Sequence, residues 1–168
     1  DGPVRTPEPV RCACEEALAM LCDQLERLEA GARLLRARLD RSDLDPVTID
    51  IPLTRPSRDR RHLWSLLRPP LENAHLGFGV DSVTLTAARV GALPHEQRAC
   101  WAGADDRLGA DSERLFGELA DTLAGRLGAH RVTRLVPIDS HDPARAAREA
   151  PVVGATAHPV SGGGAAGR

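Results

Sequence analysis

Residues 33–53 read RLLRARLDRSDLDPVTIDIPL, and the folding of this stretch decides the rest. In 33–39, Leu35, Ala37 and Leu39 alternate with Arg36 and Arg38. In 47–53, Val47, Ile49, Ile51 and Leu53 alternate with Thr48, Asp50 and Pro52. A period of two sends successive side chains to opposite faces, so each run is expected to be a strand with one apolar and one polar side. Arg41-Ser42-Asp43-Leu44-Asp45-Pro46 between them is turn chemistry. The two strands should therefore pair as an antiparallel hairpin.

Working outward, Leu18, Leu21, Cys22, Leu25 and Leu28 fall at helical spacing and predict a helix over 15–30. Glu15 and Glu16 suit its positive end, and Gly31 is placed to stop it. Before it, Pro3, Pro7 and Pro9 surround Val4 and Val10, which fits an extended edge strand in 1–11. After the hairpin, Ser57 or Asp59 can cap a helix that puts Leu63, Leu66, Leu67 and Leu71 on one face. Pro69-Pro70 should end or kink that helix near Arg68. Gly77-Phe78-Gly79 turns the chain into a last strand, 80–88. There Val83, Leu85 and Ala87 face one way and Ser82, Thr84 and Thr86 the other. The order strand, helix, strand, strand, helix, strand is the split β-α-β-β-α-β plan, an α+β fold with two helices on one face of one sheet. The other face is left open, with Arg36, Arg38, Thr48, Asp50, Ser82, Thr84 and Thr86 on it.

This places one domain at 1–91. Residues 92–110 are rich in Gly, Ala, Pro and Asp and read as a linker. Residues 111–150 hold a further helix, Ser112 to Leu127, whose Leu115, Phe116, Leu119, Leu123 and Leu127 form an apolar stripe, with Gly128 as its stop. Gly117 and Gly125 weaken that helix by about 1 kcal/mol each relative to Ala, so it should need a surface to dock on. A short strand is expected near Arg131 to Val136, and residues 151–168 should be a disordered tail.

Composition narrows the function. The 168 residues carry 22 basic groups, all arginine, against 24 acids, so the chain is not uniformly basic. Two Trp, two Phe and no Tyr disfavour a stacking platform for single strands. Charge is unevenly spread. Nine arginines (33, 36, 38, 41, 55, 58, 60, 61 and 68) share the window 33–68 with five acids, whereas helix 15–30 holds five acids against Arg27. A basic sheet beside an acidic helix is what a phosphate-facing surface shows, because arginine offers phosphate a planar fork of donors. A merely solvated face is the bland alternative. Cys12, Cys14, Cys22 and Cys100 fit reduced thiols better than a zinc site or a disulfide scaffold. No apolar run approaches a membrane span. A chain that starts at Asp1 without Met is expected to be a fragment or a processed product.

Pro52-Leu53-Thr54-Arg55-Pro56-Ser57-Arg58-Asp59, then Leu63-Trp64-Ser65-Leu66-Leu67, then Gly77-Phe78-Gly79-Val80-Asp81 form an ordered set that resembles the C-terminal region of ImuB-type proteins. A second block agrees: Arg126-Leu127-Gly128, Val132-Thr133-Arg134-Leu135-Val136-Pro137 and Asp139-Ser140-His141-Asp142-Pro143-Ala144-Arg145-Ala146. The family is related to Y-family translesion polymerases. The resemblance implies that 1–91 is a little-finger domain whose sheet lies against primer–template duplex DNA. It further implies a catalytically inactive adaptor, acting in SOS mutagenesis with an ImuA-type protein, an error-prone C-family DNA polymerase and the β sliding clamp. A bacterial cytoplasmic, nucleoid-associated location follows. The sequence departs from the family at Ser42-Asp43-Leu44-Asp45, Arg60, Pro69-Pro70 and Ala144.

On this reading the duplex-contacting residues are expected to be Arg36, Arg38, Thr54, Arg55, Ser57, Arg58, Thr84 and Thr86. Gln97, Cys100 and Trp101 are expected to form a degenerate clamp-binding peptide, since such a peptide gains specificity from apolar anchors. No catalytic residue, metal or cofactor is expected. Polymerase chemistry needs carboxylates that hold two divalent ions. Asp105-Asp106 reads as solvated charge, and Ser140-His141-Asp142 is adjacent in sequence rather than convergent as a triad requires. Two other readings stand beside the adaptor: a protein-interaction module that never touches DNA, and a small enzyme on a ferredoxin-like fold. Arginines on the open face neutralised by acidic neighbours, or buried beneath the C-terminal segment, would remove the basis for duplex binding.

Overall fold

The computed structural model describes residues 7–93, 104–139 and 146–153. The element order is α1 (Pro7–Arg27), β1 (Ala30–Arg41), β2 (Val47–Ser57), α2 (Arg60–Glu72), β3 (Val80–Ala92), α3 (Ala104–Leu127), a short 3-10 turn (Ala129–Arg131), β4 (Thr133–Pro137) and β5 (Ala147–Pro151). The fold is α+β. β1 to β3 form one antiparallel sheet in the order β2-β1-β3, and β4 pairs with β5 in a separate antiparallel hairpin.

The hairpin expected from residues 33–53 is present, with Leu35 opposite Ile51, Arg36 opposite Asp50, Ala37 opposite Ile49 and Arg38 opposite Thr48. β3 lies on the other side of β1, with Thr86 opposite Arg36 and Thr84 opposite Arg38. α1 and α2 cover one face. Leu18, Leu25, Leu35, Ala37, Leu53, Leu63 and Leu67 make the main core, and Val10, Cys14, Leu39, Leu71 and Val80 a second cluster beside it. All four leucines read as the inner face of α2 are buried. Asp59 caps that helix, its carboxylate accepting from the backbone N–H of Arg61 at 2.8 Å and of His62 at 3.2 Å.

Several local expectations are corrected. Val10 lies inside α1 and is buried, not in an edge strand; Val4 lies outside the described residues. Pro7 and Pro9 sit in the first turn of that helix, where backbone N–H groups have no intrahelical partner and proline loses nothing. Gly31 does not end α1. Glu29 takes the left-handed conformation there, with φ of 50°. Gly31 instead lies in β1, where a Cβ would stand 2.7 Å from the Ser57 nitrogen, so only glycine lets β2 approach. Pro69 and Pro70 do not end α2, which continues to Glu72. Buried Leu71 anchors its last turn, and Asn73 returns both its backbone N–H and its side-chain amide to the Pro69 carbonyl. β2 runs on through Thr54–Ser57, and β3 through Ala92.

α3 begins at Ala104, ahead of the expected Ser112, and ends as expected at Leu127 before Gly128, whose φ is 98°. It packs on β2 and α2, but not through its apolar stripe. Gly117, Ala120, Asp121 and Ala124 face the domain, while Leu115, Phe116, Leu119, Leu123 and Leu127 are exposed, Phe116 at 60%. Periodicity identifies an apolar side of a helix without saying what covers it. The helix approaches β2 closely here: a Cβ on Gly117 would stand 3.3 Å from Arg55 Cδ, so the Arg55 side chain would have to give way slightly. Val152 and Val153, just past β5, are buried.

Candidate nucleic-acid interface

The uncovered face of the sheet is built by the alternation that builds the core. Because Leu35, Ala37 and Leu39 point to the helices, Arg36 and Arg38 must point away, and both are exposed. Cross-strand register then sets their neighbours. Asp50, Arg36 and Thr86 form one rung, and Thr48, Arg38 and Thr84 the next. Ser82 lies opposite Asp40 one rung further along. Four of the expected duplex-contacting residues, Arg36, Arg38, Thr84 and Thr86, therefore share one open surface.

The arginines on it have carboxylate partners. Arg36 meets Asp50 through two hydrogen bonds, Nε to Oδ1 at 2.6 Å and Nη2 to Oδ2 at 2.7 Å. Arg38 Nε donates to Asp40 Oδ1 at 2.8 Å, and Ser82 Oγ donates to the other oxygen of Asp40 at 2.7 Å. The Arg36 hydrogen bonds hold the Asp50 carboxyl below the usual carboxylate range, with Arg89 adding attraction. Asp40 is lowered as well, first by the Ser82 hydroxyl and then by Arg38. The expectation of a plainly basic face is thus corrected: cross-strand and neighbouring carboxylates neutralise its two central arginines. Arg89, opposite Leu34 on β3, is exposed and has no ion pair among the described residues. Arg36, Arg38 and Arg89 against Asp40 and Asp50 leave a surplus of one positive charge.

The other four expected contacts sit elsewhere. The Thr54 backbone N–H donates to Asp121 Oδ1 at 2.7 Å, and its hydroxyl donates to the same oxygen. Arg55 pairs with Glu113 at 3.5 Å. Ser57 Oγ accepts from the Asp59 N–H at 3.2 Å. Arg58 reaches Glu26 on α1 at 3.9 Å. Thr54 and Arg55 tie β2 to α3, Arg58 reaches α1, and Ser57 bonds locally at the entry to α2. Gln97, Cys100 and Trp101 lie outside the described residues, as do Ser140, His141 and Asp142.

Sequence reasoning missed three features. Arg89 falls just past the expected end of the last strand, and continued alternation from Val83, Leu85 and Ala87 would send it to the helix side; the register shift between Leu34 and Leu35 is what brings it opposite Leu34 on the open face. The Arg36–Asp50 pair follows from counting the hairpin register outward from its turn. Asp121 is a single acid among Gly117, Ala120 and Ala124, and that pattern marks an inward-facing carboxylate. It is only 5% exposed, and His62 Nε2 lies 3.1 Å from its Oδ2. Among the described residues no group of three His, Cys, Asp or Glu side chains could hold a metal ion.

Two curated relatives match this chain. Both are called Protein ImuB, from Caulobacter vibrioides strains NA1000 / CB15N and ATCC 19089 / CIP 103742 / CB 15, and each is 32% identical over 143 residues. The chain is ImuB-like. The match covers 85% of this chain but only 30% of each relative, so the chain corresponds to under a third of the ImuB length. No protein-family profile matches, and no solved structure matches. No helix of the described residues in this ImuB-like chain is long and apolar enough to cross a membrane.

Proposed function

We propose that this ImuB-like chain is the non-catalytic, DNA-contacting adaptor portion of a translesion-synthesis protein acting in the response to DNA damage. Asp50 and Asp40 neutralise Arg36 and Arg38, so the arginine pair does not carry the reading. What supports it is the likeness to ImuB over 85% of the chain, together with Arg89, an open-face guanidinium with no ion pair among the described residues. Three adjacent strands present Arg36, Arg38, Arg89, Thr48, Ser82, Thr84 and Thr86 on a surface that neither α1 nor α2 covers. Guanidinium and hydroxyl donors at strand spacing suit the sugar–phosphate backbone of primer–template duplex, where contacts fix register without reading sequence. The carboxylates of Asp40 and Asp50 keep the surplus small, so contact is weak and sequence-independent. A partner that releases counterions makes binding fall with salt. The test is duplex binding by the 168-residue chain across a salt series. Wild type should weaken steadily as salt rises, and Arg36→Glu with Arg38→Glu and Arg89→Glu should abolish binding. Affinity that ignores salt, or survives the triple change, removes the proposal.

A specific observation also favours protein binding. α3 exposes Leu115, Phe116, Leu119, Leu123 and Leu127 along one side. A contiguous apolar strip of this kind marks an interaction surface. In the adaptor reading it is the place for a protein partner, an ImuA-type protein or the error-prone C-family polymerase. The β clamp is assigned to Gln97, Cys100 and Trp101. Phe116→Ser with Leu119→Ser should abolish partner capture and leave duplex binding intact; loss of duplex binding with capture intact reverses the assignment.

A further inference from the structure

α3 is attached in an unusual way. Its bulky apolar residues face solvent, and the face on β2 offers Gly117, Ala120 and Ala124, which bury little apolar area. The polar link is concentrated in Asp121. This buried carboxylate collects the Thr54 backbone N–H, the Thr54 hydroxyl and His62 Nε2. One residue along β2, Arg55 receives a second carboxylate from the same helix, Glu113 at 3.5 Å. The Thr54 backbone N–H and hydroxyl are donors a phosphate oxygen uses, and so, at a separate point of β2, is the Arg55 guanidinium, whose partner Glu113 lies about 12 Å along the helix from Asp121. α3 fills them with its own two acids.

We infer that α3 is an autoinhibitory helix: its Asp121 and Glu113 occupy phosphate-binding donors at Thr54 and Arg55, and the helix must leave before β2 can offer them to a duplex. This rests on the duplex-binding reading and deepens it. With α3 docked, the sheet binds through its open face only. With α3 released, one more guanidinium joins, and the carboxylates of Glu113 and Asp121 leave β2. The exposed stripe on the opposite side of the helix gives a partner a handle for drawing it off.

The test measures amide exchange over residues 112–127 together with duplex affinity as a function of salt, on the full 168-residue chain. Asp121→Ala removes the carboxylate that holds Thr54 and His62. Gly117→Leu wedges the helix off from the side of Arg55 and serves if Asp121→Ala loses protection in β1 and α2 as well. Release should expose residues 112–127 to exchange while β1 and α2 stay protected. The slope of log affinity against log salt should steepen by about 0.9, the value for one added phosphate contact. Arg55→Ala in the released background should return the slope to that of wild type. A helix still protected in both variants overturns the inference, as does a released helix with an unchanged slope. Salt-independent binding by wild type and variants alike is the different failure: it removes the duplex reading, and this inference with it.

Discussion

Replacing Asp50 with Asn tests whether Arg36 meets phosphate. In the folded chain the Arg36 guanidinium is held by two hydrogen bonds to Asp50, and both side chains are a little under half exposed. An exposed pair of this kind contributes about 0.2–1 kcal/mol, and its bidentate geometry places it toward the upper end. A phosphate that takes Arg36 must displace the carboxylate and approach its negative charge. Asn keeps an acceptor for Arg36 and removes the charge. Duplex affinity should therefore rise by up to about 1 kcal/mol, near fivefold, since 1.4 kcal/mol is tenfold. The open face would go from a surplus of one charge to two, and the salt slope should steepen by up to about 0.9. Anisotropy of a labelled duplex of arbitrary sequence at four or five salt concentrations reads both quantities. Thermal unfolding controls for stability, which should fall by less than about 1 kcal/mol. A folded Asp50→Asn chain that binds no more tightly than wild type refutes the placement of Arg36 against DNA.

Other outcomes bear on the fold. Asp59→Ala should cost about 1 kcal/mol in chemical denaturation, because two N–H groups at the start of α2 lose their acceptor. Leu67→Ala, in the main core and fully buried, should cost about 2–5 kcal/mol. Burial pushes the Cys14 thiol up to about 11, so alkylation at pH 8 followed by mass spectrometry should mark exposed Cys12 well before Cys14; equal rates would show that α1 is not seated as described. Asp40 and Asp50 both titrate below their ordinary range in the folded chain. Their contribution is therefore complete above the unfolded carboxylate pKa and is lost as pH falls through the lowered folded values. Stability of Asp40→Asn with Asp50→Asn should accordingly fall less steeply than wild type below pH 4, and parallel acid-unfolding curves would contradict the pairing.

Most of the sheet could be read from the sequence because it depends on local alternation. Leu35, Ala37 and Leu39 against Ile49, Ile51 and Leu53 decide which side is buried, and a one-residue slip would expose them all. The inner face of α2 was legible for the same reason. The start of α1 was not: proline marks both an edge strand and a first helical turn, and only burial of Val10 and Cys14 against Leu71 and Val80 distinguishes them. The orientation of α3 was hidden because its stripe of Leu and Phe outweighs its small-residue side in any hydrophobic count. The deciding contacts, Asp121 to Thr54 and Glu113 to Arg55, join residues more than fifty positions apart. The open face was legible in composition and not in charge. Arginines can be counted along a strand, but their neutralisation depends on which rung each acid occupies.

The cross-strand pair of Arg36 with Asp50 and the along-strand pair of Arg38 with Asp40 carry a consequence for motion. A surface that brings its own counter-ions displaces few from a nucleic acid, so it holds no position deeply and moves between neighbouring ones at little cost. On the proposed duplex reading, such a surface tracks along a double helix instead of parking on it.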